Sequence, residues 1–175
     1  MNDSSHIAPA LVRLRVVLVH TTHPGNIGAA ARALFTMGIE RLVLVQPSHF
    51  PHPEAVARAT GAAHVLAAAR VVASLPEALA GCALAIGLSG RPRAFAGRVL
   101  AVREAMGEAI AATARGDVAL VFGTEMSGLA NNELAQCGIA AAIPANPAYA
   151  SLNLAAAVQI VAYEARLAAG ADAVW

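Results

Sequence analysis

Val118-Ala119-Leu120-Val121-Phe122-Gly123-Thr124-Glu125-Met126-Ser127-Gly128-Leu129 turns abruptly from an unbroken apolar run into a loop that holds a carboxylate between two glycines. A continuous Val and Leu run is what a strand covered on both faces requires, because alternate side chains then meet apolar layers on opposite sides. Runs of the same kind recur at Arg13 to His20, Arg41 to Gln46, Ala83 to Leu88 and Ile139 to Ile143, with stretches of helical spacing between them. Strands that alternate with helices specify an α/β fold, a mostly parallel sheet with helices on both faces. Such sheets bind ligands at the carboxyl ends of their strands, so the loop from Gly123 to Leu129 stands where chemistry is expected.

The spacing predicts a first helix from Asn26, as its N-cap, to Gly38 at the C′ position. Ile27, Ala30, Ala31 and Leu34 form its inward stripe, with Arg32 displaced from the centre. Further helices are expected over Pro53 to Ala69, Pro76 to Ala80, Val99 to Thr113 and Asn131 to Gln136, and a last one over Leu152 to Ala168. That last helix has few charges before Glu164 and Arg166. A helix so apolar around its circumference needs more burial than one sheet face offers, which predicts a subunit interface. Residues 1–12 read as a flexible N-terminal tail, 13–170 as a single domain and 171–175 as a C-terminal tail, with no internal repeat or linker.

A hydrophobic fraction of 58% and a mean hydropathy of +0.59 raise the question of a membrane. The longest charge-free stretch, Leu134 to Tyr163, is broken by Gln136, Pro144, Asn146, Pro147, Asn153 and Gln159, and no apolar run reaches the ~18 residues of a spanning helix. The first ten residues lack the basic region and apolar core of a secretory signal. Cys82 and Cys137 sit in apolar contexts without metal-ligand spacing, so no metal is expected, and free thiols fit a reducing, cytoplasmic setting. Net charge is only +1, which does not itself announce a nucleic-acid binder. All cations are arginine, however, and Arg91, Arg93, Arg98 and Arg103 cluster; taken alone, that cluster is equally well an ordinary solvated face.

Three loops have unusual composition. His23-Pro24-Gly25-Asn26-Ile27-Gly28, followed by Arg32, can bind an anion through exposed N–H groups at a helix start, although turns and caps use the same residues. It lacks the glycine spacing of a dinucleotide site and the Gly-Lys-Ser/Thr of a P-loop. In the second loop, Glu125 is more than a turn requires, and capping the following helix falls more naturally to Asn131. The third is Ile143-Pro144-Ala145-Asn146-Pro147, then Tyr149, then Ser151-Leu152-Asn153-Leu154. Its prolines fix an irregular backbone and Ser151 reads as an N-cap, whereas Asn153 is out of place inside a first helical turn.

Together these loops resemble the three motifs of the TrmH-like group of SPOUT RNA 2′-O-methyltransferases: N-x-G-x-x-x-R at Asn26, Gly28 and Arg32, F-G-x-E-x-x-G-L at Phe122 to Leu129, and I-P with S-L-N-L at Ile143 and Ser151 to Leu154. The resemblance covers Leu14 to Ala168. Within the group the chain is most similar to the TrmJ subgroup, tRNA methyltransferases acting on the ribose of cytidine or uridine at anticodon-loop position 32, through Val19 to Arg32, Glu77 to Cys82, Asn131 to Cys137 and Ala145 to Arg166.

The resemblance implies a C-terminal trefoil knot, S-adenosylmethionine as methyl donor, RNA as substrate, most readily tRNA, and a homodimer joined through the first and last helices. Other RNA targets, rRNA or another tRNA position, and a catalytically silent RNA-binding dimer belong to the same frame. It assigns the cofactor to Leu88, Ser89, Gly90, Gly123, Ile143, Ser151, Leu152 and Asn153. Catalysis falls to Arg32, with Asn26 orienting the site, Glu125 shaping it, and Ser151 and Asn153 serving both cofactor and ribose. Because a guanidinium stays protonated, Arg32 is expected to hold an RNA phosphate or stabilise the developing alkoxide rather than take a proton. Arg91 and Arg93 match arginines of the subgroup, so they join Arg32 as expected RNA contacts. Two departures stand out: Thr124 replaces an arginine usual in the subgroup, and the subgroup commonly continues into a C-terminal extension beyond the position of Trp175.

Overall fold

In a computed structural model of the chain, which describes residues 8–90 and 97–171, the apolar runs become strands of one seven-stranded sheet. In chain order they are β1 (Leu14–Val19), β2 (Arg41–Val45), β3 (Arg70–Val72), β4 (Cys82–Leu88), β5 (Arg98–Ala101), β6 (Asp117–Phe122) and β7 (Ile139–Ala142). Their spatial order is β3-β2-β1-β6-β4-β7-β5, and every pairing is parallel. The five expected strands are all present. The two that the sequence did not announce are the edges. Each is short and largely exposed, so neither carries a long apolar run. β5 occupies the start of what the spacing assigned to a helix.

The helices are α1 (Pro9–Val12), α2 (Pro24–Thr36), α3 (Pro53–Ala59), α4 (Ala63–Ala67), α5 (Leu75–Leu79), α6 (Val102–Ala112), α7 (Asn131–Leu134) and α8 (Leu154–Ala168). Residues 9–12, which composition placed in a tail, are folded, and Leu11 is fully buried. α2 begins at Pro24, whose missing N–H costs nothing in a first turn, so Asn26 lies inside the helix and is not its cap. Its end matches expectation: Gly38 has φ +79°, with Gly38 N–H donating to the Phe35 carbonyl at 3.1 Å and Ile39 N–H to Leu34 at 3.0 Å. The stretch from Pro53 breaks into α3 and α4 at Thr60, where φ is +48°.

Alternation along the strands builds two apolar layers. Leu14, Val16, Leu18, Leu120 and Phe122 face α2, α3, α4, α6 and α8, whereas Val17, Val19, Ala119 and Val121 face the much shorter α5 and α7. α2 lies so close to α3 that a Cβ on Gly28 would stand 2.0 Å from the Ala55 carbonyl oxygen. At the amino ends of the strands, buried Arg15 bonds the Ala78 and Ala80 carbonyls and Asp117, which also meets Arg41 at 2.8 Å. Among the described residues no helix is long and apolar enough to cross a membrane.

The strand order decides where the loops go. β6 fills the place between β1 and β4, and β7 the place between β4 and β5, so the carboxyl ends of β1, β6, β4 and β7 stand side by side. These are the strands followed by the loops that the sequence singled out.

Candidate active site at the carboxyl ends of four strands

A cleft of about 320 Å³ opens among the loops after β4, β6 and β7. Its walls include Leu88, Ser89, Gly90, Gly123, Ile143, Ser151 and Leu152, seven of the eight residues expected to hold a cofactor. Phe122, Leu129, Leu134 and Leu154 add apolar surface, though none of the four was among the residues expected to hold the cofactor. Asn153, the eighth, is not among the lining residues. It is the N-cap of α8, its Oδ1 accepting from the N–H groups of Ala155 (3.0 Å) and Ala156 (3.3 Å). The helix therefore starts at Leu154, later than expected, and Ser151 is an exposed wall of the cleft without a capping role.

The loop after β6 is held shut on itself. Thr124 and Gly128 exchange backbone hydrogen bonds of 3.2 and 3.0 Å, and a Cβ on Gly123 would lie 2.0 Å from the carbonyl carbon of Gly128. The Thr124 hydroxyl meets that of Ser127 across the loop at 2.8 Å. Asn131 is the first residue of α7 and not its cap; Glu133 reaches back to accept from Ala130 N–H at 2.7 Å.

Glu125 joins the three motifs. Its carboxylate accepts from Thr22 N–H (3.1 Å), the Thr22 hydroxyl (3.0 Å), His23 N–H (3.0 Å) and the Asn26 amide (3.1 Å). The Asn26 carbonyl oxygen in turn accepts from the Asn153 amide at 3.1 Å. Partial burial alone would raise the pKa of Glu125, but the bonds from His23, Thr22 and Asn26 outweigh it and lower it from 4.5 to about 2. The anion-binding capacity read in the loop before α2 is thus occupied by the protein's own carboxylate. Thr22 is the residue that the loop reading missed, although Pro24 as a first-turn residue marks where free N–H groups gather.

Arg32 stands apart. It is exposed, and among the described residues no hydrogen bond or ion pair engages it. Six residues beyond Asn26, at about 3.6 residues per turn, it lies on a different flank of α2 and does not join the Glu125 network. Arg91 and Arg93 lie outside the described residues. No group of three or more metal-ligating side chains exists among the described residues.

A parallel sheet whose neighbouring strand ends carry a backbone-rich cleft places the protein among the α/β proteins that bind a ligand at strand ends. The chain belongs to the SpoU rRNA Methylase family, which it matches over residues 13–163. It is 54% identical over 159 residues to the tRNA (cytidine/uridine/adenosine-2′-O-)-methyltransferase TrmJ of Pseudomonas aeruginosa, covering 90% of this chain and 62% of that protein. The chain therefore spans less than two thirds of that relative's length. A probable methylase family protein from Haemophilus influenzae superposes with a TM-score of 0.86 at 46% identity, covering 90% of this chain and 66% of the other. An AdoMet bound rRNA methyltransferase from Sinorhizobium meliloti superposes with a TM-score of 0.68 at 27% identity, over 88% of this chain and 56% of the other.

Proposed function

We propose that the protein is an S-adenosylmethionine-dependent RNA 2′-O-ribose methyltransferase that acts on tRNA, at the cytidine or uridine ribose of anticodon-loop position 32. The observation that carries this reading is the single hydrogen-bonded unit formed by Glu125, Asn26 and Asn153 beside the cleft, in a chain 54% identical to a tRNA 2′-O-methyltransferase. The cleft suits the cofactor: Leu88, Phe122 and Leu134 offer apolar surface for an adenine, and backbone groups near Gly90, Gly123 and Leu152 can read its edges. When bound, S-adenosylmethionine supplies an electrophilic methyl group on a sulfonium.

The chain's own residues then have to bring a ribose oxygen into line. Positioning of this kind is worth on the order of 7–11 kcal/mol. The Ser151 hydroxyl, exposed on the cleft wall, is placed to bond the ribose, and Asn26, held from both sides, fixes the entry of α2 beside it. Arg32, charged and free of internal partners among the described residues, takes an RNA phosphate or the developing alkoxide. Thr124 is neutral where the subgroup usually carries an arginine, so this loop position supplies no cation to the RNA.

The same reading includes a homodimer through α2 and α8, supported by Phe35, Tyr163 and Leu167 exposed on those helices. It includes a trefoil knot within residues 13–170 taken as one domain, supported by the late insertion of β6 and β7 between earlier strands. It places the protein in the cytoplasm, in keeping with an RNA substrate and two free thiols. Radiolabelled methyl transfer to bulk tRNA and to rRNA, followed by mapping of the modified nucleotide, tests it. Transfer to tRNA at position 32 is expected, and transfer only to rRNA overturns the substrate. Arg32→Ala should lose on the order of 100-fold or more in turnover, with cofactor affinity and melting temperature little changed. Arg32→Lys should also be poor, since a point charge lacks the planar fork. A folded Arg32→Ala protein with near-normal turnover would remove Arg32 from the chemistry.

A further inference from the structure

Beside the cofactor cleft lies a second, open cavity of about 510 Å³, walled by Gly90, Ile143, Ala145, Pro147, Tyr149 and Ser151. Gly90, Ile143, Ala150 and Ser151 line both spaces, so the two adjoin across a shared wall. Tyr149 is 77% exposed, and among the described residues its hydroxyl has no hydrogen-bond partner. Its backbone is nevertheless fixed: Tyr149 N–H donates to the Asn146 carbonyl at 2.9 Å, Ala148 N–H donates to Asn146 Oδ1 at 3.0 Å, and Pro147 stiffens the turn between them. The ring is thus presented at a rigid turn instead of being folded into the core.

Resting on the methyltransferase reading, we propose that Tyr149 is the stacking platform for the base of the nucleotide whose ribose is methylated. That ribose must enter the cofactor cleft, and its base, joined to the same sugar, must occupy the adjoining space. Among the described residues no charged side chain lines the adjoining cavity, so its described wall offers a phosphate no counter-charge. Its side-chain hydrogen-bonding groups among the described residues are the hydroxyls of Ser151 and Tyr149, few for telling one base edge from another. An aromatic face binds any base, because every base has a π-surface. This agrees with the Pseudomonas aeruginosa relative, whose name spans cytidine, uridine and adenosine.

The test compares Tyr149→Ala, Tyr149→Phe and wild type in methyl transfer to tRNA transcripts carrying cytidine, uridine or adenosine at the modified position. Calorimetry with S-adenosylhomocysteine and sedimentation accompany the kinetics. Tyr149→Ala should lower kcat/KM for RNA roughly 5- to 150-fold, by a similar factor for all three bases. Tyr149→Phe should stay within about 2-fold of wild type, because the ring face and not the hydroxyl is used. S-adenosylhomocysteine affinity and oligomeric state should not change. An unimpaired Tyr149→Ala overturns the platform, as does Tyr149→Phe failing equally, or loss of the wild-type oligomer in Tyr149→Ala. A wild-type protein that methylates no RNA overturns the methyltransferase reading itself and the platform with it.

Discussion

A carboxylate that accepts four hydrogen bonds and has a pKa of about 2 is ill suited to trading protons at neutral pH. Glu125, expected to shape the site, ties the loop after β6 to the start of α2. Its pKa is depressed on folding, so as pH falls the unfolded chain takes up the proton first. The clamp's contribution to stability is complete above about pH 4.5 and disappears as pH falls toward about 2. Thermal melts across that range should show Glu125→Gln less stable than wild type at pH 6, with the gap closing toward pH 2. A gap independent of pH would mean the carboxylate charge does not matter there. The motif residues Asn26, Glu125 and Asn153 were legible in the sequence. Their mutual bonds were not, because they join positions 99 and 127 residues apart, and no local spacing records such a meeting.

Among the elements, α2 shows how a motif glycine can be read for the wrong reason. Gly28 looked like part of an anion loop, yet its service is steric: it lets α2 approach the backbone of α3 at Ala55. Gly28→Ala should therefore cost on the order of 3 kcal/mol or more, since backbone must move to make room. Urea denaturation would measure it, and a cost below about 1 kcal/mol would show that α3 yields easily. The apolar strands and the glycine stop of α2 were legible because each depends on residues within a few positions. The helix starts differ from their expected places because Pro24, with no N–H to satisfy, takes the first turn of α2 ahead of Asn26, and Asn153 instead of Ser151 caps α8.

For the whole molecule, the alternation of strand and helix made the α/β class readable, whereas strand order was not, since it depends on pairings between distant runs. The two faces of the sheet are covered unequally, and the thicker layer still leaves Phe35, Tyr163 and Leu167 exposed on α2 and α8. Burying them in a second copy would remove an apolar patch that otherwise faces water. Sedimentation at micromolar concentration should find a dimer, and Leu167→Glu should weaken it. A wild-type monomer would leave that patch to some other partner.

The insertion of β6 and β7 also sets a schedule. As a ribosome releases the chain, β1 to β5 emerge before β6, yet β1 and β4 share no hydrogen bonds and await β6 between them. Until Asp117 to Phe122 has emerged, both strands keep bare edges, and the pairings that finally close the sheet span long stretches of chain, a slow kind of closure. The strands that complete the sheet are the ones that carry the Gly123 to Leu129 and Ile143 to Asn153 loops, so the event that finishes the fold also builds the site.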